Sequence, residues 1–144
     1  MAVFRMYLRL VSETLSVADI SGRLGVEPDR AWERGSRRRP GSPPRNHTLW
    51  ARDAQVPESS PRPEDLEPVV LGWGETFARA VGDLADEEDV TVSLEIVQEI
   101  RDLDDPLAKG IALRPEMMTW LSTARASLDI DQYIYHECPG TTDE

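Results

Sequence analysis

The sequence predicts one α+β domain, an antiparallel or mixed sheet with helices packed on one face. Three observations predict it. Segments with apolar residues at every second position alternate with segments whose apolar residues recur every three or four, the periods of a half-buried strand and an amphipathic helix. The length, 144 residues, suits one domain, which at this size buries about two thirds of the surface its unfolded chain exposes. The composition, 40% hydrophobic and 30% charged, supplies a core and argues against wholesale disorder.

Phe4, Met6, Leu8 and Leu10 alternate with Arg5, Tyr7 and Arg9, the pattern of a first strand with one buried face. Ser16 then precedes Val17, Ile20 and Leu24, and Asp19 follows the serine by three residues as a variant capping box. Gly25 and Pro28 stop this short helix. From Arg34 to Arg45 there is no periodicity and there are three prolines, so residues 35–46 are expected to form a mobile surface loop. His47 to Ala51 reads as a short second strand, and Asp53 to Pro63 as a polar connection.

A long helix is expected to start at Ser60-Pro61 or at Pro63, because proline at the first helical position loses no hydrogen bond. Leu66, Val69, Val70, Trp73, Phe77, Val81 and Leu84 form its apolar stripe, which makes Trp73 a core residue rather than a ligand platform. Gly72 and Gly74 each weaken the helix by about 1 kcal/mol, so close packing or a bend is expected around Trp73. Val90, Val92, Leu94 and Ile96 give the cleanest strand, Asp102 to Pro106 turns it, and Gly110 to Leu113 is expected to return as another strand. Arg114-Pro115-Glu116 starts a helix with Met117, Trp120 or Leu121, and Ala124 on its apolar face. Ile130, Gln132 and Ile134 alternate in a last strand before a polar tail, residues 136–144, expected to fray. The element order contains two strand-helix-strand units, beginning at Phe4 and Val90, and points to a pair of ferredoxin-like units.

The net charge is −11, and it is unevenly placed. Met1 to Arg52 holds ten basic and five acidic residues; Asp53 to Glu144 holds six basic and 22 acidic. Such a negative field repels phosphate backbones, so nucleic acid is not an expected partner. Only Arg30 to Arg52, with seven arginines against one glutamate, reverses the sign locally. The N-terminus lacks a basic stretch followed by an apolar one, and no apolar run approaches the ~18 residues needed to span a bilayer. Neither export nor membrane insertion is expected, and the location expected is cytoplasmic. The match of Asn46, His47 and Thr48 to a glycosylation acceptor is then fortuitous. The single cysteine, Cys138, permits no intramolecular disulfide and reads as a free surface thiol.

Common catalytic solutions need particular groups within reach, and the sequence presents none of their motifs. His47 and His136 are the only histidines, and neither has a helical-spaced second ligand, so no metal and no cofactor is expected. Carboxylates cluster at Asp86 to Asp89, at Asp102, Asp104 and Asp105, and at Asp129 and Asp131, and all read as solvated surface. The uncommon feature is the combination of Arg30, Trp32, Arg34, Trp50 and Arg52, which could hold an anion, a nucleotide or a carboxylate-rich partner by stacking and bidentate contacts. The plain alternative is that Trp32 and Trp50 close a sheet edge while the arginines offset the acidic body.

Leu24-Gly25-Val26-Glu27-Pro28, then Ala31-Trp32-Glu33-Arg34-Gly35, then Trp50, and finally Ser127-Leu128-Asp129-Ile130-Asp131-Gln132-Tyr133 form an ordered series. This series resembles the bacterial family catalogued as domain of unknown function 4279 (DUF4279), over about Phe4 to Tyr135. The resemblance implies a small bacterial α+β domain and carries over no reaction and no catalytic residue. Some members are similar in size and setting to immunity proteins, which neutralise toxins delivered between bacteria. The Arg37 to Arg39 run and Pro43-Pro44 are not part of that resemblance.

The first functional expectation is therefore a non-enzymatic, immunity-like protein that binds a basic protein partner such as a toxin, through complementary fields. The alternative is a small-ligand or anion-binding module built on the Arg/Trp segment 30–52. An enzyme using the carboxylates is the third.

Overall fold

The most regular alternation in the chain builds the centre of the sheet. In the computed structural model, which describes residues 2–58, 61–106 and 110–135, strand β1 (Ala2–Ser12) pairs antiparallel with β4 (Val90–Ile100) along its whole length, from Ala2 opposite Ile100 to Ser12 opposite Val90. The other side of β1 takes β3 (Thr48–Asp53), also antiparallel, and β3 carries the short β2 (Arg30–Trp32) on its outer side. Beyond β4 lies β5 (Ala126–Ile134), parallel to it. The described residues thus form a mixed five-stranded sheet in the order β2-β3-β1-β4-β5.

Four helices cover one face: α1 (Val17–Leu24), α2 (Pro63–Gly72), α3 (Glu75–Glu87) and α4 (Pro115–Thr123). Phe4, Met6, Leu8 and Leu10 of β1, Trp50 of β3 and Val92, Leu94 and Ile96 of β4 share one parity and pack with Ile20, Leu66, Val70, Phe77, Val81, Leu84, Met117, Trp120 and Leu121. Each such side chain contributes about 1.5–3 kcal/mol by leaving water. The helix ends follow their sequence signals. Ser16 and Asp19 make the reciprocal capping box of α1, and Gly25 closes it in the left-handed region at φ 71°. Pro63, not Ser60, opens α2; Ser60 lies outside the described residues.

The single long helix expected between residues 63 and 84 is two helices. Gly74 stands at φ 93°, ψ 164°, a conformation open only to glycine, and its carbonyl accepts the Trp120 indole N–H at 3.2 Å. The bend expected around Trp73 is therefore a full break, fixed from outside by α4. The return strand expected at Gly110 to Leu113 does not form. Ile111 and Leu113 are partly buried against the core, and β1 and β5 occupy both sides of β4, so this segment has no place beside the strand it follows. Two strand-helix-strand units are present and they differ: β3 lies between β1 and β2, whereas β4 and β5 are adjacent and parallel.

The segment 33–47 has no helix or strand, and it closes on itself. Gly35 N–H donates to the Arg45 carbonyl (2.7 Å), and Arg45 N–H to that of Ser36 (2.8 Å). No described helix is long and apolar enough to cross a membrane. The expected tail 136–144, with His136 and Cys138, lies outside the described residues.

Candidate functional site

Because the helices take one face, the other face of the sheet carries no helix or further strand among the described residues. Register assigns its residues. Arg5, Tyr7 and Arg9 of β1 share it with Leu49, Ala51 and Asp53 of β3, Arg30 and Trp32 of β2, Ser93, Glu95 and Val97 of β4, and Asp129 and Asp131 of β5. A cleft of about 620 Å³ runs across it, with Trp32 and Leu49 at one end and Glu95, Asp129 and Asp131 at the other. Tyr7, Arg9 and Arg30 stand between.

The two ends differ in how their charges are satisfied. The Arg30 guanidinium lies 2.6 Å from Asp53 and 4.4 Å above the Tyr7 ring. That carboxylate holds the Arg30 pKa above its ordinary value. Arg45 covers the Trp32 ring at 4.7 Å, and His47 approaches it at 5.9 Å. Among the described residues, the buried Trp32 Nε1 and His47 Nε2 have no hydrogen-bond partner. At the opposite end, one carboxylate oxygen each from Glu95, Asp129 and Asp131 lies within 4.8 Å of the others. Glu95 is buried and accepts the Ser93 hydroxyl at 2.7 Å; Asp129 and Asp131 are exposed. Burial pushes the Glu95 carboxyl above the usual range and Asp129 pushes it the same way, while Ser93 and Arg9 pull it back.

Three converging carboxylates can share a proton or contact a cation. Only one oxygen from each converges, three against the six to eight that calcium takes, and two of the three residues face solvent, so no metal is assigned. The arrangement suits recognition of positive charge, with cationic groups of its own a strand away.

The five residues expected to form an Arg/Trp site are divided by the sheet. Arg30 and Trp32 line the cleft. Trp50 has the opposite parity: it is wholly buried among the helices and donates its indole N–H to Ser21 Oγ at 3.1 Å, so it is a core residue and no stacking platform. Arg52 is also on the helix side, its guanidinium 4.6 Å from the Trp73 ring and 4.8 Å from Phe77, and this burial lowers its pKa. Arg34 binds the Glu13 carbonyl at 2.7 Å and so holds the β1–α1 turn. Its neighbour Glu33 accepts the Val17 N–H at 3.1 Å in the first turn of α1. The Trp32-Glu33-Arg34-Gly35 step thus ties the loop to the first helix.

The family model described as Domain of unknown function (DUF4279) matches residues 2–135. The chain belongs to this family. Comparison with curated proteins and with solved structures gave no match. The DUF4279 match spans the cleft and every described strand and helix.

The carboxylate trio was missed in sequence. Asp129 and Asp131 share a strand face by their spacing, but Glu95 joins them only through the parallel register that sets it opposite Asp129. Arg9 was read only as the polar side of a strand.

Proposed function

We propose that this DUF4279 protein is a non-enzymatic, immunity-like binding protein of the bacterial cytoplasm, and that it engages a basic protein partner through the bare face of its sheet. The observation that carries the reading is the Glu95, Asp129 and Asp131 trio, gathered within 4.8 Å on a face that no described helix covers. The body around it carries −16 after Arg52, a field that speeds the approach of a positive partner. A toxin with a basic surface is the partner class that fits.

The test is capture at low salt with the wild type and with a Glu95→Gln, Asp129→Asn, Asp131→Asn variant. The wild type is expected to retain a basic polypeptide that the variant, and the wild type in high salt, release. An identical set of retained proteins on both would end this reading.

A second reading is favoured by the two-signed cleft. Arg9 and Arg30 stand beside the carboxylates, so a small zwitterion could place its anionic group on the guanidinium side and its amine on Asp129 and Asp131. A metabolite screen by thermal shift would then return a ligand whose shift is lost in Arg30→Ala. A flat screen removes this alternative.

A further inference from the structure

The β5 edge combines three features, and the proposed binding role draws on only the two aspartates among them. First, its backbone is open. Tyr135 N–H donates to the Ile100 carbonyl at 2.9 Å, which sets the phase of the parallel ladder. Residues 127, 129, 131 and 133 therefore turn their peptide groups toward β4, and those of Leu128, Ile130, Gln132 and Ile134 point to the outer edge. No described strand lies on that side. Second, the edge is apolar. Five of the seven large apolar side chains exposed among the described residues are Leu128, Ile130, Tyr133, Ile134 and Tyr135, at 39 to 52%. Third, the two faces of the strand differ. Leu128, Ile130 and Ile134 follow the helix-side parity of Leu94, Ile96 and Ile100, whereas Asp129 and Asp131 belong to the bare face.

Long apolar edges are ordinarily blunted by lysine, proline or a bulge. β5 has nine residues with neither lysine nor proline; its only charges are the two aspartates. An added strand would gain main-chain hydrogen bonds from the edge and specificity from alternate side chains. Its side chains on the helix side would meet Leu128, Ile130 and Ile134. Those on the bare face would meet Asp129 and Asp131. A second copy of this chain is a poor occupant. Full-length antiparallel self-pairing sets Asp129 opposite Asp131 of the other copy, twice over, between bodies of −11 each.

We infer that β5 receives an extended partner segment by strand addition, and that this segment alternates basic and apolar residues. The inference rests on the basic-partner reading above and adds its mode of attachment.

The test uses the full chain and two capped nine-residue peptides of equal composition, one alternating lysine and valine, the other with the lysines in one block. The alternating peptide is expected to bind at least tenfold more tightly than the block peptide at low salt. Amide exchange by NMR is expected to slow at Leu128, Ile130, Gln132 and Ile134 while the inward-facing amides change little. Asp129→Asn with Asp131→Asn is expected to weaken binding about three- to tenfold, in line with exposed ion pairs. Equal binding of both peptides with no change at the outward amides overturns strand addition and leaves a basic partner standing. No binding of either peptide, together with failure of the salt-dependent capture, overturns both. A dimer by sedimentation, with the outward amides already protected in the free protein, assigns the edge to a second copy and also overturns the inference.

Discussion

At one edge of the sheet β2 runs for three residues and is wrapped by the chain that follows it; at the other β5 runs for nine and carries exposed Leu128, Ile130 and Ile134. On β2, Arg30 is paired with Asp53 and stacked on Tyr7, and Trp32 is covered by Arg45. On β5, Asp129 and Asp131 meet another carboxylate, Glu95, instead of a cation. The charge of Arg30 is thus satisfied from within, although the adjacent Trp32 Nε1 and His47 Nε2 lack hydrogen-bond partners among the described residues, while the carboxylates of the negative end face one another. Surface composition alone marks the Arg/Trp stretch as the unusual feature, whereas pairing shows that like charges meet on the acidic side.

The largest expected effect removes the support of the β5 edge. Gly82 of α3 lies where an added Cβ would stand 2.2 Å from the Thr123 carbonyl, at the end of α4 just before β5. Gly82→Ala must push these helices apart, and a loss of about 2–3 kcal/mol is expected by urea denaturation. Early exchange at β5 should accompany it, with β2 and β3 unaffected.

A smaller effect sharpens the acidic end. The folded Glu95 pKa is raised, chiefly by burial. Between the unfolded and folded values the native protein holds a proton that the unfolded chain has released, so stability falls as pH rises through that window and the loss is complete above it. Glu95→Gln keeps an acceptor for Ser93 and removes the buried charge. It is expected to stabilise the protein by about 1 kcal/mol at neutral pH and to match the wild type below the unfolded glutamate pKa. Denaturation curves across pH check the sign.

The smallest effect is at β2. Arg30→Ala breaks a half-exposed pair with Asp53 and should cost about 1 kcal/mol or less, measured by thermal denaturation. A loss larger than that of Gly82→Ala would mean that the β2 edge, not the β5 side, is held under the greater constraint.

Much of the fold was legible because the long strands announce themselves. The alternation in β1 and β4, the Ser16 cap and Pro115 at the start of α4 are local signals, and each stands where the sequence sets it. Local signals fail where pairing decides. The alternation at Ile111 and Leu113 is real, but both sides of β4 are taken, by β1 and β5. β2 is too short for any period to show. In the candidate site, Trp50 and Arg52 were grouped with Arg30 and Trp32 by nearness along the chain. Strand parity separates them: Arg30 stands opposite Ala51, and Ala51 lies between Trp50 and Arg52. Conversely, Glu95 and Asp129 are far apart in sequence and adjacent in the ladder.

The most direct measurement of the open acidic edge is residue-resolved amide exchange along β5 in the free protein. Alternation is expected, with slow exchange at Asp129, Asp131, Tyr133 and Tyr135 and fast exchange at Leu128, Ile130, Gln132 and Ile134. Uniformly slow exchange through all eight amides would show that the edge is already covered, and would contradict it.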